Sequence, residues 1–460
     1  MKLSRQLCLF GVALVAACDS ESVGGPTTGQ PGTALDAQVR QVIQQWGVVP
    51  LLPVASQNAA MVELGRALFF DKALSGNRDV ACATCHNPLT EAGDARSLAI
   101  GTGAVMASGV RTLGPGRQFT PRNAPSLFNA GLGLFYMFWD GRVNEEGGQG
   151  RFRAPPGVTF PGSVTSLLAA QAMLPVTNRV EMRGIPGDKD VFGNANELAM
   201  LPDTGNAGIW RAVMQRLLSY PGYVQMFNAA YPGVPNSLLG FEHAANAIAT
   251  FEMQSFAKTN TAFDRYLQRD DNALTLDAKR GALIFFGRGT CSSCHGGPLL
   301  GGSQFANVGI PQIGPGTGSA MPLDAGREDV FGSQPPPNGP FFQFRVPPLR
   351  NVELSAPYMH NGAYPTLEAV VRHYSNVDSA QKSYDVTQVE PALRSAYHGD
   401  VATTSKVMTW VDGRLRQPLH FTTEEQRELV AFLKSLTDPS ARDLSGVTPA
   451  SVPSGLPVRN

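Results

Sequence analysis

Cys82-Ala83-Thr84-Cys85-His86 and Cys291-Ser292-Ser293-Cys294-His295, the first and second motif, share the pattern Cys-x-x-Cys-His. This pattern is the attachment signature of a c-type haem, in which two thiols bond to the vinyl groups and the histidine ligates the iron. A single copy is compatible with an accident, a zinc half-site or a redox pair. Two copies, which use four of the six cysteines, indicate two covalent haems with His86 and His295 as proximal ligands.

The N-terminal segment is typical of export. A positive start is followed by an apolar stretch, Leu7–Ala17, that is too short to span a bilayer. It ends in Ala16-Ala17-Cys18, which resembles the bacterial lipoprotein signal, with a plain secretory signal as the alternative. We therefore expect residues 1–17 to be a signal peptide of the lipoprotein type. The mature protein would be periplasmic and anchored to the inner membrane through a lipid at Cys18, the sole membrane contact expected.

The composition indicates a neutral protein with many loops. The 37 basic and 37 acidic residues cancel, so nothing points to a nucleic-acid partner. Charged residues make up only 16%, whereas Gly and Pro number 49 and 35, which favours short helices joined by irregular segments. Residues 18–34 are rich in Gly, Pro and Thr and are predicted to form a flexible tether.

Apolar periodicity predicts a mostly α-helical fold without a regular strand array. The predicted helices are Leu35–Trp46, Met61–Asp71, Val164–Met173, Ile209–Tyr220, Leu238–Phe256, Leu274–Phe286, Pro365–Tyr374 and Thr422–Leu436. Two Gly/Pro-rich segments, Gly147–Gly162 and Ile310–Pro340, are predicted to be loops.

Each motif follows a helix that ends in an aromatic pair, Phe69-Phe70 before the first and Phe285-Phe286 before the second. This is a weak internal duplication, and it predicts that a helix packs its apolar end onto each haem. We expect two cytochrome-c-like domains with long irregular loops: a peroxidatic one over residues 35–205 and an electron-transfer one over 206–440. Residues 441–460 would form a tail.

Several short segments between and after the two motifs are typical of one family of di-haem proteins. They are Arg122–Leu127, Phe138–Arg142, Val180–Met182, Phe263–Leu267, Leu349–Val352 and Ala356–Gly362. In this order, from about Ala59 to about Asp438, the chain resembles the bacterial di-haem cytochrome c peroxidases and their relatives of the MauG type. The resemblance implies a di-haem redox enzyme.

The region after the first motif predicts an open haem face. Many family members have a distal histidine there, but residues 87–119 contain none. Met106 is the one soft alternative, and we interpret it as a packing residue. A haem with an open face can bind and activate a small molecule, so the N-terminal haem is expected to be five-coordinate or water-bound without prior reduction.

The resemblance also assigns a peroxide pocket. Glu181 matches the catalytic glutamate of the family, and Gln171 matches its pocket glutamine. Cleavage of a bound peroxide needs a proton moved from the near oxygen to the far one, which a carboxylate with a burial-raised pKa can do. A surface glutamate on a loop is the structural alternative for Glu181.

In the family, the sixth ligand of the second haem lies fourteen residues after the histidine of the Pro-Tyr-x-His segment. Counting from His360 gives Tyr374. The electron-accepting peroxidases have methionine there, whereas the MauG type has tyrosine, an anionic oxygen donor. Tyr374 is therefore the favoured ligand, with Met359 second and His373 a further neighbour.

The resemblance implies two inter-haem features as well. Trp139 matches the tryptophan between the two haems, where an indole shortens the electron-tunnelling steps. Asn123, Ser355 and Pro357 match the positions that bind a calcium ion, the last two through backbone carbonyls, and oxygen donors suit Ca²⁺.

The leading functional prediction is a peroxidase that reduces hydrogen peroxide to water at the N-terminal haem. Electrons would arrive through the C-terminal haem and Trp139 from a small cytochrome c or cupredoxin. The alternative is a MauG-like, peroxide-dependent oxidase that modifies a partner protein. Tyr374 favours this alternative, but the MauG type has a surface tryptophan where this chain has Gly289. A di-haem electron carrier is the third hypothesis, and the Glu181/Gln171 pair argues against it.

Overall fold

A computed structural model of the protein describes residues 34–146, 150–331 and 341–459. The predicted signal peptide, Cys18, nearly all of the tether and the last residue of the tail lie outside these ranges, as do parts of the two predicted loops. Within the described ranges, no helix is long and apolar enough to cross a membrane.

The structure is mostly helical, as predicted. The helices are α1 Ala34–Gln44, α2 Ala59–Phe70, α3 Cys82–Cys85, α4 Leu167–Ala172, α5 Asn206–Leu218, α6 Pro221–Ala230, α7 Phe241–Phe256, α8 Ala262–Leu267, α9 Leu276–Phe286, α10 Glu328–Phe331, α11 Leu367–Ser375, α12 Val377–Lys382, α13 Val401–Thr409 and α14 Thr423–Lys434. All eight predicted helices are confirmed, with ends shifted by up to a few residues.

The strands form small antiparallel sheets rather than a layer. They are β1 Val105–Ala107, β2 Val110–Thr112, β3 Tyr136–Met137, β4 Val143–Glu146, β5 Arg151–Arg153, β6 Phe305–Ala306 and β7 Phe344–Arg345. Strand orders are β1-β2, β3-β4-β5 and β6-β7. Strand β5 and helix α10 lie within the two predicted loop segments, so those segments are not wholly irregular.

Two helix pairs repeat one packing arrangement. A Cβ at Gly65 in α2 would lie 1.9 Å from the Ala247 carbonyl oxygen of α7, and one at Gly281 in α9 would lie 2.0 Å from the Glu428 carbonyl oxygen of α14. Because neither glycine has a side chain, each pair of helices can cross in backbone contact. The duplication therefore extends from the motifs to their partner helices.

The aromatic pairs also pack alike in the two helix pairs. Phe69 packs on Phe251 with ring centroids 5.2 Å apart, and Phe285 packs on Phe432 at 5.1 Å. We define the first module as α2, α7 and the first motif, and the second module as α9, α14 and the second motif. Each module is the centre of one buried apolar cluster.

The clusters do not follow the predicted domain division. Helices α5, α6 and α7, which the sequence assigns to the C-terminal domain, pack in the cluster of the first module. Helix α1, assigned to the N-terminal domain, packs against α9 in the other cluster. The two apolar cores are thus not separated at residues 205–206.

Helix caps explain where the module helices begin. The Asn58 side chain accepts a hydrogen bond from the Met61 amide ahead of α2, and Thr275 does the same for Ala278 ahead of α9. Thr422 and Glu425 form a capping box at the start of α14. These caps satisfy amides that have no partner within the helix.

Candidate functional site

The first motif faces a large cavity. Its volume is about 650 Å³. The lining includes all the predicted groups of the first site: Cys82, Cys85, His86, Trp139, Gln171 and Glu181. The structure therefore brings together residues that are up to a hundred positions apart in the sequence.

The first motif is ordered by a single helical turn. Cys82 and Cys85 begin and end α3, and the His86 amide donates to the Cys82 carbonyl at 2.9 Å. Both thiols are free rather than joined in a disulfide. Burial lowers the pKa of His86 to about 4, so its imidazole is neutral, which is the form that ligates a metal.

Glu181 is fixed through its backbone in a π-helical turn, Arg179–Arg183. The Asn178 side chain accepts hydrogen bonds from the Val180 and Glu181 amides at 2.9 and 3.1 Å. The Thr102 amide donates to the Glu181 carbonyl at 2.9 Å. These hydrogen bonds fix the backbone of Glu181 between Asn178 and the loop that carries Thr102.

Burial raises the pKa of the Glu181 carboxyl, while the nearby Arg142 guanidinium acts in the opposite direction. Arg142 also lines the cavity, held over the Phe138 ring at 3.8 Å and bonded to Asp140 at 3.0 Å. The pocket therefore presents a carboxyl group and a cation together. A surface position for Glu181 is excluded, because the residue lines this cavity and is only partly exposed.

Gln171 lies at the end of the short helix α4, whose N-terminus is capped by Ser166. The following turn is held by Trp210, whose indole nitrogen donates to the Met173 carbonyl at 2.7 Å. This turn leads directly to the π-helical turn of Glu181. The short path from Gln171 to Glu181 is thus held by hydrogen bonds, and both residues line the same cavity.

Met106 does not have the packing role expected from the sequence. It lies in β1, pairs with Arg111 of β2, and is 52% exposed. It is also absent from the cavity lining. The two-stranded hairpin turns this side chain outward, which a short irregular sequence gives no means to foresee.

Two ionisable side chains that line the cavity, Glu252 and Arg345, were not predicted from the sequence. Glu252 on α7 is buried, and its Oε2 atom has no hydrogen-bond partner among the described residues. Arg345 on β7 is buried as well, and its Nη1 atom also lacks a partner. The position of Glu252 directly after Phe251 on an inward helix face was the available signal; Arg345 had none.

Trp139 links the two halves of the chain. It lines the cavity, and its indole nitrogen donates to the Asn123 carbonyl at 2.9 Å. The Asn123 amide in turn donates to the His360 carbonyl at 2.7 Å. The tryptophan is therefore held between the first-half segments and the Pro-Tyr-x-His segment of the second half.

The second motif has its histidine oriented by a backbone bond. His295 Nδ1 lies 2.9 Å from the Leu300 carbonyl oxygen. Because a carbonyl can only accept, Nδ1 carries the hydrogen and Nε2 is left with its lone pair. Burial lowers the pKa of His295 to about 4. A neutral imidazole with a free Nε2 is suited to ligate iron.

The three candidate sixth ligands of the second haem occupy different surroundings. Tyr374 on α11 lies close enough to the thiols of the second motif for them, after burial, to raise its pKa. His373 has both ring nitrogens occupied, Nδ1 by the Tyr364 hydroxyl at 2.9 Å and Nε2 by the Val308 carbonyl at 2.7 Å. Met359 lines the cavity of the first motif.

A second, small cavity lies at the predicted calcium position. Its volume is about 10 Å³, room for one ion or water. Asn123 and Ser355 line it, together with Glu91 and Asp94, whereas Pro357 lines the large cavity. Burial raises the pKa of Asp94 to about 6. Two carboxyl groups and polar oxygens around so small a space suit a hard cation.

These residues fit the haems that the motifs imply. The free thiols and neutral histidines supply the attachment and ligation chemistry. The cavity at the first motif has the size of a small-molecule or cofactor site. The unpartnered guanidinium nitrogen of Arg345 offers a buried donor for a carboxylate, such as the propionate groups of haem carry.

Comparison with known proteins agrees with this site. Residues 59–272 match the family model described as di-haem cytochrome c peroxidase. The chain is 33% identical to cytochrome c551 peroxidase of Pseudomonas aeruginosa over 328 residues, which is 70% of this chain and 73% of that protein. It is 28% identical to methylamine utilization protein MauG of Methylorubrum extorquens over 383 residues, covering 83% and 79% of the two chains.

Solved structures share the fold. A MauG-like protein associated with microbial copper homeostasis matches with a TM-score of 0.56 and 25% identity, covering 86% of this chain and 95% of that one. The diheme peroxidase BthA from Burkholderia thailandensis matches with a TM-score of 0.56 and 22% identity, covering 90% and 94%. The chain belongs to the family of di-haem cytochrome c peroxidases, oxidoreductases that use peroxide.

Proposed function

We propose that this protein reduces hydrogen peroxide to water in the cavity of the first module. The observation that carries the proposal is that Glu181 and Gln171 share one cavity with Cys82, Cys85 and His86. A haem bonded there supplies the iron that holds and reduces the peroxide. The remaining chemistry, which is proton movement and orientation, falls to side chains of this chain.

Glu181 is the proton carrier. Its carboxylate accepts the proton of the near peroxide oxygen and returns it to the far oxygen, which leaves as water. Burial raises its pKa, which brings proton gain and loss closer to neutral pH. Gln171 donates an amide hydrogen bond that orients the peroxide. A glutamate on the outer surface could neither accept nor return this proton. The position of Glu181 in the cavity lining therefore supports its role as proton carrier.

An open peroxide face in the resting protein is part of this proposal. No histidine occurs in residues 87–119, and Met106 is turned to the outside. Neither a histidine of this segment nor Met106 therefore has to leave before peroxide enters. On this proposal the enzyme needs no reductive activation.

The second module delivers electrons. His295 and Tyr374 would hold the iron of the second haem, and the proximity of Tyr374 to the thiols of the second motif favours it over the other candidates. His373 is disfavoured because both of its nitrogens are occupied. Electrons come from a small periplasmic cytochrome c or cupredoxin and pass through Trp139 to the first module.

A calcium ion between the modules would stabilise this arrangement. Asn123 and Ser355 provide oxygen ligands at the small cavity, and Pro357 follows two residues later. Trp139 donates to the Asn123 carbonyl, so the ion would also hold the relay residue in place. The carboxyl group of Asp94 supplies charge that the sequence analysis did not assign.

A MauG-like oxidase that modifies a partner protein is the second candidate. Tyr374 and the similarity to MauG favour it. Against it, Gly289 stands where the MauG type has its surface tryptophan. Of the two other tryptophans that could relay charge to a partner, Trp210 is buried, whereas Trp410 is partly exposed. We place either enzyme in the periplasm, held to the inner membrane by a lipid at Cys18.

Stopped-flow mixing with peroxide tests these proposals. A peroxidase oxidises reduced cytochrome c rapidly. A MauG-like enzyme gives a long-lived oxidised spectrum and turns over small donors slowly. A spectrum that does not respond to peroxide would overturn both and leave a plain electron carrier.

A further inference from the structure

A buried carboxylic acid lies beside the first motif without a stated role. Glu252 is 6% exposed, lines the cavity shared with Cys82 and His86, and has an Oε2 atom without a hydrogen-bond partner. Native proteins rarely bury a carboxyl group without a partner, because the desolvation cost is high. The group therefore calls for a functional explanation.

The elements packed against α7 offer Glu252 no compensating cation. The helices that pack most extensively against α7 are α2, α4 and α5. Their charged side chains point elsewhere: Glu63 pairs with Arg66, Arg216 pairs with Glu197, Arg211 is exposed, and α4 has no ionisable residue. The titratable group that does face Glu252 is the Cys82 thiol. Burial alone raises the pKa of Glu252 to about 8, which brings proton gain and loss by this carboxyl group closer to neutral pH.

The second module shows that the scaffold does not need this acid. Phe251 and Phe432 occupy equivalent positions against Gly65 and Gly281. The residue after Phe432 is Leu433, which is 7% exposed. A leucine thus fills the position that Glu252 occupies in the first module, and the carboxyl group is a feature of the first module alone.

We propose that Glu252 is a redox-linked proton site of the first module. When the module gains one electron, the carboxylate takes up one proton from water, and when the electron leaves, the proton is released. Net charge in the low-dielectric cavity then stays constant, since an added electron stabilises the neutral acid and its loss stabilises the anion. The proposal rests on haem attachment at the first motif; the electron comes from the small redox donor and goes to peroxide.

Potentiometric titration of the holoenzyme at several pH values, followed by haem absorption, tests the proposal. Where Glu252 is protonated in the reduced form and ionised in the oxidised form, each tenfold fall in proton concentration lowers the midpoint potential of the first haem by about 59 mV. In Glu252→Gln this dependence is lost over the same pH range. The second haem of the same molecule, with Leu433, is the internal control, and Glu242→Gln at the start of α7 is the matched variant that keeps the dependence.

Redox-difference infrared spectra give a second readout. Wild-type protein shows a carboxylic-acid carbonyl band that grows on reduction, and Glu252→Gln lacks it. If Glu252→Gln does not fold, Glu252→Leu, which copies the second module, replaces it in both measurements. A pH-independent potential in the wild type, or an unchanged dependence in both variants, would overturn the proposal. Failure of haem attachment is distinguished by a missing covalent haem spectrum in denatured protein.

Discussion

The two modules share a scaffold and differ in what lines it. In both, a glycine lets two helices touch and an aromatic pair packs on the partner helix. In the first, the motif faces a cavity of about 650 Å³ whose lining includes the carboxyl groups of Glu181 and Glu252. In the second, Leu433 replaces the acid and Tyr374 lies near the thiols. The duplicated helices position the haem-attachment motif in each module, and the two modules differ in the side chains that surround the motif.

The largest effect is expected from Glu181→Gln. Peroxide turnover should fall by about a hundredfold or more, because the amide cannot accept and return a proton. Steady-state oxidation of reduced cytochrome c measures this, and both haem spectra should be unchanged. Glu63→Gln on the exposed face of α2 is the control, with wild-type turnover expected. Near-normal turnover in Glu181→Gln would show that Glu181 does not give the first module its peroxidase function.

Gly65→Ala and Gly281→Ala test the shared scaffold. Each added Cβ would meet a backbone carbonyl within about 2 Å, so both variants should lose about 1–3 kcal/mol of unfolding free energy, by similar amounts. Denaturant unfolding measures this. Gly208→Ala in α5 has no atom within 4 Å of the new Cβ and should be neutral or slightly stabilising. A large loss in one module only would show that the helix pairs are not equivalent.

Tyr374→Met should change the second module and leave the first as it is. A thioether ligand favours the ferrous state more than a phenolate does, so the midpoint potential of the second haem should rise by about 59 mV or more, a tenfold change in the ratio of reduced to oxidised haem. Potentiometry checks this, with Tyr397→Phe as the control. An unchanged second haem would exclude Tyr374 as its ligand.

The last prediction concerns the pH dependence of stability. The pKa of Glu252 is raised to about 8 in the folded protein, against about 4.3 for an ordinary glutamate. The folded state therefore binds the proton more tightly, and this stabilisation is complete below about pH 4 and lost as the pH rises through 8. The Tm of the wild type should fall relative to that of Glu252→Gln between about pH 5 and 8. Parallel curves would show that Glu252 does not titrate in this range.

The sequence predicted the helices best where apolar periodicity and a cap coincide, as at Thr422–Glu425. It missed α6 and α13, because a turn-like Tyr-Pro-Gly start and a polar, exposed face hide their period. It also misread Met106, which a two-stranded hairpin exposes.

The residues of the candidate site also fall into two groups, those that the sequence predicted and those that it did not. The haem-attachment residues of the first motif were predicted from a local pattern and Glu181 from the family resemblance, and all of them line one cavity. Glu252 and Arg345 could not be predicted, because burial without a partner is a property of packing between distant segments. The equivalence of Glu252 with Leu433 likewise becomes apparent only from the two helix crossings.

The most direct test of the central claim is low-temperature electron paramagnetic resonance of the oxidised protein as isolated. The claim is that two like modules hold haems that differ at the sixth position, open in the first and closed in the second. It predicts one high-spin ferric signal and one low-spin signal of equal intensity, with only the high-spin signal altered by added fluoride. Two low-spin signals, both indifferent to fluoride, would contradict it.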